Sequence, residues 1–138
     1  MTARLQSSSN ARSKGDVMAD ELLFICTHAK DDPERALLPF IAANTAAIAG
    51  LPAVVLLTIE GVWLGTTGTP EQITKEGFPP LAEVYEQFIA NGGQVWLCGT
   101  CAKPRGITEE QLLPGAKITG AANIVEHIAQ GAKPISFA

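Results

Sequence analysis

The sequence predicts an α/β fold. We expect three layers in a flavodoxin-like arrangement, with about five mostly parallel strands and helices on both faces of the sheet. Two observations lead to this prediction. Short apolar runs alternate along the chain with longer segments of helical character. The apolar runs are continuous rather than alternating, which is typical of parallel strands that are covered on both faces.

The first half of the folded region predicts a strand, a helix and a second strand. Residues 22–27 are apolar and rich in branched and aromatic side chains, as in a buried strand. Asp32 is a capping residue for a helix over residues 34–49, and Gly50 is a stop signal at its end. A second apolar run over residues 53–58 predicts the next strand.

The second half begins with an irregular stretch over residues 60–80, which contains four glycines and three prolines. This composition predicts a loop, and a loop of that length usually serves a function or an interface. The elements predicted after it are a helix over 81–91, a strand over 94–97, a helical turn over 108–113, a strand over 116–118, a helix over 120–130 and a strand over 134–137.

Composition limits the classes of function. The chain has 138 residues, a net charge of −4 and a pI near 5.1. Residues 1–19 are polar and serine-rich, so we expect a disordered tail before a single domain over residues 20–138. No basic cluster suits a nucleic-acid backbone, and no apolar run reaches the roughly 20 residues of a membrane span. With no secretory signal evident, we expect a cytoplasmic, reducing location.

Three polar segments follow predicted strands, at residues 26–31, 58–61 and 98–101. In an open parallel sheet the ligand site lies beyond the carboxyl ends of the strands, where the strand order reverses. We expect the first and third strands to be neighbours in this topology. That arrangement places the pair Cys98 and Cys101 where such folds carry their chemistry.

Cys98 has two interpretations. It can close a buried strand and pack as a small apolar side chain. Alternatively it is a reactive thiolate, since it lies in a polar turn with Lys103 and Arg105 close in sequence. A helical turn that begins at Gly99 would add backbone N–H groups that stabilise a thiolate.

Cys101 has the spacing of a resolving thiol, although a spectator role stays open. Cys26 lies within a predicted buried strand, so we expect it to pack. Zinc would need further ligands, and only Cys26, His28 and His127 could join the pair. Because one CxxC motif alone is a weak metal signal, we predict no metal.

Polar loop residues supply the candidate substrate-binding groups. His28 could orient a substrate or transfer a proton, or it could be a solvated loop residue. Glu60 and Arg105 are candidates for the same role. The carboxylates of Glu60 and Asp31 could equally serve as caps or solvent contacts. His127 is expected on the surface of the last helix or at an interface.

Three segments together resemble the DsrE/DsrF-like sulfur-relay family, which includes YchN-like and TusD-like proteins. The segments are LLFICTHAKDDPERALLPFIAANTAAIAGLPAVVLLTIEGVWL, GGQVWLCGTCAKPRGI and LLPGAKITGAANIVEHIAQGAKPISF. The resemblance implies a flavodoxin-like fold in homotrimers or homohexamers. It also implies that Cys98 accepts sulfur as a persulfide, with sulfur donor and acceptor proteins or small thiols as partners and with no cofactor. It does not extend to Cys101, which many members lack.

The leading hypothesis is therefore a sulfur carrier or sulfurtransferase that uses Cys98. One alternative is a CxxC thiol-disulfide oxidoreductase, although the pair lies later in the chain than in thioredoxin. Another is a non-enzymatic oligomeric binding module, in which the loop around Trp63, together with Trp96 beside the site, would provide an apolar contact surface, although tryptophans more often pack.

Overall fold

The computed structural model describes residues 20–137, so the predicted tail over residues 1–19 lies outside the described residues. The strands are β1 (Leu22–Cys26), β2 (Ala53–Leu57), β3 (Gln94–Cys98), β4 (Ala116–Thr119) and β5 (Lys133–Ser136). The helices are α1 (Pro33–Ile48), α2 (Leu81–Ala90), α3 (Gly99–Ala102) and α4 (Ala121–Ala129). Short 3₁₀-helices occur at Ile59–Gly65, Pro70–Gln72, Lys103–Arg105 and Glu109–Gln111.

The five strands form one parallel sheet in the order β4-β3-β2-β1-β5. All positions of β2 are buried, as its continuous apolar sequence AVVLL predicts for a central parallel strand. The edge strands β4 and β5 are shorter and more exposed. Pro134 is tolerated in β5 because an edge strand has one side without ladder partners. The predicted α/β fold class is confirmed.

Capping explains the bounds of α1. Asp32 is the N-cap, and its side chain accepts a hydrogen bond from the backbone N–H of Arg35 at 3.1 Å. Pro33 occupies the first helical turn, where its missing N–H has no cost. Gly50 follows the helix with a φ of 85°, a left-handed conformation that glycine adopts without steric penalty.

The helices cover both faces of the sheet. On one face α1 and α2 form the main core, in which the Phe40 ring lies 5.7 Å from Tyr85 and 6.2 Å from Phe88. On the opposite face α4 packs through Ile124 onto a smaller core that includes Trp96. Within residues 20–137, no helix has both the length and the apolar character needed to cross a membrane.

His127 is buried rather than on the surface, and the prediction for it was wrong. It is 6% exposed, and its Nδ1 lies 3.0 Å from Oε2 of the buried Glu21. Its ring also packs edge-on against Trp96, with the centroids 4.8 Å apart. A carboxylate partner makes burial of the imidazole tolerable. That partner lies 106 residues away in sequence, so no local pattern in α4 could indicate it.

The expected adjacency of the first and third strands was also wrong, because β2 lies between β1 and β3. Each connection from β1 to β4 advances the sheet by one strand, and α1, α2 and α3 contribute to the core on the same face. The chain then returns through α4 on the other face and places β5 beside β1. The connections therefore diverge to opposite faces after β3 and β4, and this is where a crevice opens in such sheets.

Candidate functional site

Cys98 lies at the point where the connections diverge. It is the last residue of β3, the N-cap of α3, and the register partner of Thr119 on β4. Its side chain is half-buried and makes no capping hydrogen bond. A half-buried thiol at the carboxyl edge, with no capping role to occupy it, is available for chemistry with a small reactant.

Local sequence explains why the chain turns there. A Cβ at Gly99 would lie 3.3 Å from the Thr119 carbonyl oxygen, so glycine lets α3 start close against β4. Pro104 fits the 3₁₀ turn over Lys103–Arg105, which ends at Gly106 with a φ of 73°. The result is a short, tight helical turn that carries both cysteines of the motif.

Cys98 and Cys101 occupy the N-cap and N3 positions of this turn. These are the positions that contact each other in a capping box, so the two residues are neighbours. Both thiols are free and half-buried, and Cys101 also packs against the main core. The segment is helical, so the two cysteines lie one turn apart, as their spacing predicts for a helix.

Glu60 and Arg105 bind each other. Arg105 donates from Nε to Oε1 of Glu60 at 3.0 Å and from Nη1 to the Cys101 carbonyl oxygen at 3.0 Å, and its Nη2 forms an ion pair with the same Oε1 at 3.0 Å. Two of the three predicted substrate-binding residues therefore lie beside the cysteine turn. Their guanidinium and carboxylate groups contact one another directly.

His28 lies at the end of β1, which β2 separates from β3. Its Nδ1 is 2.7 Å from Oδ2 of Asp31, while Oδ1 of Asp31 accepts the Ala29 N–H at 2.8 Å. These hydrogen bonds, first that from the Ala29 backbone and then that from His28, lower the pKa of Asp31. Among the hydrogen bonds and ion pairs of residues 20–137, none links His28 to Cys98 or Cys101.

A shallow groove of about 220 Å³ connects the two loops. Glu60 lines it from the β2 side and Asp31 from the β1 side, so the groove adjoins the Glu60–Arg105 pair. Its remaining lining residues are Ala29, Lys30, Trp63, Thr69 and Gln72. Thr69 and Gln72 were not predicted as site residues, since only their place in an irregular segment of the sequence marked them.

Trp63 and Trp96 differ in what they can contact. Trp63 lines the groove and is partly exposed. Trp96 shares the face of β3 on which Cys98 falls by strand alternation, yet it is only 3% exposed and packs against His127. Of the two readings of Trp96, a contact surface or packing, the structure has packing, because α4 covers the ring.

Cys26 is fully buried, as expected for a packing role. Its Sγ lies 3.6 Å from the His28 carbonyl oxygen and 3.7 Å from that of Ala36. It also lies 4.0 Å from the carbonyl oxygen of Arg35, which lacks its helical donor because Pro39 has no N–H. Burial raises the pKa of the Cys26 thiol to about 12.

The buried thiol leads to a prediction about reactivity. In the native protein we expect Cys26 to react with a disulfide reagent at least about 100-fold more slowly than Cys98 and Cys101, because it is inaccessible and un-ionised. Stopped-flow thiol titration should show two fast thiols, with the third appearing only after denaturation. Three equally fast thiols would contradict this.

The free energy of unfolding should also fall as pH rises from 9 towards 12, because Cys26 ionises first in the unfolded chain.

No metal site emerges from this part of the chain. Among residues 20–137, no group of three or more His, Cys, Asp or Glu side chains is placed to hold a metal ion. His127 pairs with Glu21 before β1, whereas His28 follows β1. A five-residue strand separates these two ends by about 15 Å, so His127 cannot join a cluster with His28.

Sequence comparison identifies relatives along nearly the whole described region. The model of the DsrE/DsrF-like family matches residues 20–137. Uncharacterized protein MK0008 of Methanopyrus kandleri is 29% identical over 119 residues, which cover 86% of this chain and 94% of the relative. Uncharacterized protein MJ0989 of Methanocaldococcus jannaschii is 30% identical over 113 residues, which cover 82% of this chain and 96% of the relative. The chain spans only 40% of another relative from that organism, uncharacterized protein MJ0760, at 27% identity over 111 residues and 80% of this chain.

Two solved structures have a similar fold. The ychN protein from E. coli superposes with a TM-score of 0.72 at 21% identity, over 86% of this chain and all of the other. Protein MTH1491 from Methanobacterium thermoautotrophicum, described as of unknown function, has a TM-score of 0.68 at 18% identity with the same coverage. At these identities the likeness concerns the fold alone.

Proposed function

Because the chain belongs to the DsrE/DsrF-like family, we propose that it handles sulfur as a persulfide on Cys98. It acts as a sulfur carrier or sulfurtransferase between a donor and an acceptor, either of which can be a protein or a small thiol. This chemistry suits a compartment in which thiols stay reduced, such as the cytoplasm.

The observation that carries the proposal is the position of Cys98. A free, half-buried thiol closes β3 at the crevice between β3 and β4. Such a thiol is open to an attacking or departing group on one side and sheltered by protein on the other. Cys26, by contrast, is fully enclosed. Of the three cysteines, Cys98 therefore combines access with the location where this type of sheet binds ligands.

The transfer needs no cofactor. The Cys98 thiolate attacks the terminal sulfur of a donor persulfide, R–S–SH, and the S–S bond of the donor breaks. Cys98 then carries the group –S–SH, and the donor leaves as the thiol R–SH. An acceptor thiolate attacks the terminal sulfur in turn, and Cys98 departs as the thiolate. His28, Glu60 and the groove between them remain candidates for binding the donor or acceptor.

Mass spectrometry of the intact protein tests this function. After incubation with a persulfide donor, the protein should gain the mass of one sulfur, and peptide mapping should place that sulfur on Cys98. Cys101→Ser should load as well as the original chain. If Cys101→Ser, in which no second thiol can release the sulfur, gains no sulfur while the donor remains intact, the proposal is refuted.

A thiol-disulfide oxidoreductase is the second candidate function. The observation that favours it is the N-cap and N3 placement of Cys98 and Cys101 in one turn. In that case the original chain would lose two hydrogens, dependent on both cysteines, and neither it nor Cys101→Ser would gain sulfur. A chain unchanged in every form would leave the third alternative, a binding module that uses the groove.

We also propose that the protein is a homo-oligomer, a trimer or hexamer. The support lies on α4, whose inner face covers the sheet while Val125 is 64% exposed and Ile128 is 38% exposed on its outer side. Alanines at 121, 122 and 129 extend this exposed surface. Burial of an apolar helix face of this kind between subunits lowers the free energy and so favours association.

Val125→Glu is therefore expected to shift the protein from the oligomer to the monomer, because it places a charge in the apolar face. Light scattering coupled to size-exclusion chromatography measures the change. Ile48→Glu is the control, since Ile48 is 67% exposed at the end of α1. A monomeric original chain, or dissociation by Ile48→Glu but not by Val125→Glu, would contradict the assignment of this interface.

A further inference from the structure

The Cys101 carbonyl group is in an unusual position. Cys101 lies in α3, which tightens into the 3₁₀ turn over Lys103–Arg105, and in a 3₁₀ turn a carbonyl accepts a hydrogen bond from the N–H three residues later. For Cys101 that residue is Pro104, which has no N–H. The Arg105 side chain provides a donor instead, with Nη1 at 3.0 Å from the carbonyl oxygen.

The same guanidinium is anchored at its other side. Nε and Nη2 of Arg105 both lie 3.0 Å from Oε1 of Glu60. Glu60 precedes Gly61, whose N–H donates to the carbonyl oxygens of Thr58 at 2.9 Å and Thr27 at 3.2 Å. The anchor therefore belongs to a turn that is itself bonded to the ends of β1 and β2.

We propose that Arg105 is a positioning residue, which holds Cys101 beside Cys98 and so sets how readily the two thiols react with each other. The part that concerns sulfur release rests on the proposed persulfide on Cys98. The part that concerns the Cys98–Cys101 disulfide does not. Arg105 suits this role because its planar group can donate to two acceptors at once, which a lysine ammonium does with less defined geometry.

The step that Arg105 influences is an internal release of sulfur. The Cys101 thiolate attacks Sγ of Cys98 in the persulfide, the bond from Sγ to the terminal sulfur breaks, and that sulfur leaves as hydrogen sulfide. The terminal sulfur gains two electrons, and the two cysteines lose two as they form a disulfide. A reducing dithiol must then restore both thiols before the next cycle.

The N-cap and N3 positions make this geometry accessible. Residues three apart on a helix have Cβ atoms about 5–6 Å apart, and a disulfide needs about 4 Å. A closing movement of the two side chains would therefore join the sulfurs, provided that the turn stays intact. Without the bond from Arg105 to the Cys101 carbonyl, the turn has more conformations to lose before the sulfurs can meet.

Arg105→Ala, Arg105→Lys and Glu60→Gln test the proposal in the full chain. The first readout is the dithiol–disulfide equilibrium of Cys98 and Cys101 against a reference dithiol, which needs no sulfur donor. The second is the rate of sulfide release compared with the rate of sulfur loading. Arg35→Ala is the matched control, because it removes another arginine that pairs with a carboxylate, Asp32 at 2.7 Å. Urea unfolding verifies that each variant is folded.

We expect Arg105→Ala to disfavour the disulfide about tenfold, which corresponds to about 30 mV in reduction potential. The rate of sulfide release divided by the rate of sulfur loading should fall by a similar factor, since only the step involving Cys101 depends on its position. Arg105→Lys should restore less than half of the loss on a logarithmic scale. Glu60→Gln should shift both quantities in the same direction by a smaller factor, and this variant decides the matter if Arg105→Ala does not fold.

Three results would overturn the proposal. The first is an unchanged dithiol–disulfide equilibrium in both Arg105→Ala and Glu60→Gln. The second is full restoration by Arg105→Lys, which would mean that charge alone acts. The third is the absence of any Cys98–Cys101 disulfide in the original chain. A chain that forms the disulfide with the expected shifts but takes up no sulfur would refute the proposed function and leave the positioning role standing.

Discussion

Replacing Cys98 with serine is expected to lower the rate of sulfur loading at least about 100-fold, because a neutral hydroxyl cannot replace a thiolate as the attacking group. Serine is close to cysteine in size and Cys98 is only half-buried, so the fold should persist. The measurement is the time course of sulfur gain by intact-mass spectrometry with a persulfide donor in excess.

The control for this prediction is Cys26→Ala. Cys26 is enclosed by the main core and its pKa is raised to about 12, so its removal should change loading by no more than about twofold. If sulfur loading survives in Cys98→Ser but disappears in Cys26→Ala, the sulfur is carried by Cys26 and not by Cys98. That outcome would require the core around β1 to open during the reaction.

Replacing Gly61 with alanine is expected to lower the free energy of unfolding by about 3 kcal/mol or more, through overpacking against backbone. A Cβ at this position would lie 2.2 Å from the carbonyl oxygen of Cys26 and 2.9 Å from its carbonyl carbon. Cys26 is held in β1, which pairs with β2 and β5, so neither atom can move away without breaking the ladder. Equilibrium denaturation in urea measures the loss.

Gly120→Ala is the matched control. It lies before α4 with a φ of −84°, and a Cβ there would meet no atom within 4 Å. The expected cost is about 1 kcal/mol or less, the usual range for a change at an N-cap. If both variants lose the same stability, the close approach of Gly61 to β1 does not limit packing. A loss confined to Gly61→Ala, accompanied by a weaker disulfide, would also link this turn to the Glu60–Arg105 pair.

Ile59 adds a feature of the same turn that no sequence pattern indicates. Its φ is 54°, a left-handed conformation that is rare for a β-branched residue, and its side chain is 53% exposed. The glycines and prolines of residues 60–80 predict a loop. The 3₁₀-helix over Ile59–Gly65 forms instead, since its backbone bonds to the ends of the neighbouring strands.

The elements of the fold could be read from local pattern. The order of strands and helices, the cap at Asp32, the stop at Gly50 and the cysteine turn at the carboxyl edge all depend on residues within one or two turns of each other, and the structure has them. Continuous apolar runs also indicated a parallel sheet, because burial on both faces leaves no polar alternation along a strand.

What local pattern could not provide depends on contacts between distant parts of the chain. The position of β2 between β1 and β3 depends on the strand order of the whole sheet. The pair of His127 with Glu21 and the pair of Arg105 with Glu60 each join residues that are 45 or more positions apart in the sequence. In each case the residues nearby in the sequence are compatible with several pairings, and only the packing of the whole domain selects one of them. The sequence by itself placed Cys98 at the carboxyl end of a strand. Only the packing of the whole domain brought Glu60 and Arg105 to the turn that carries this cysteine.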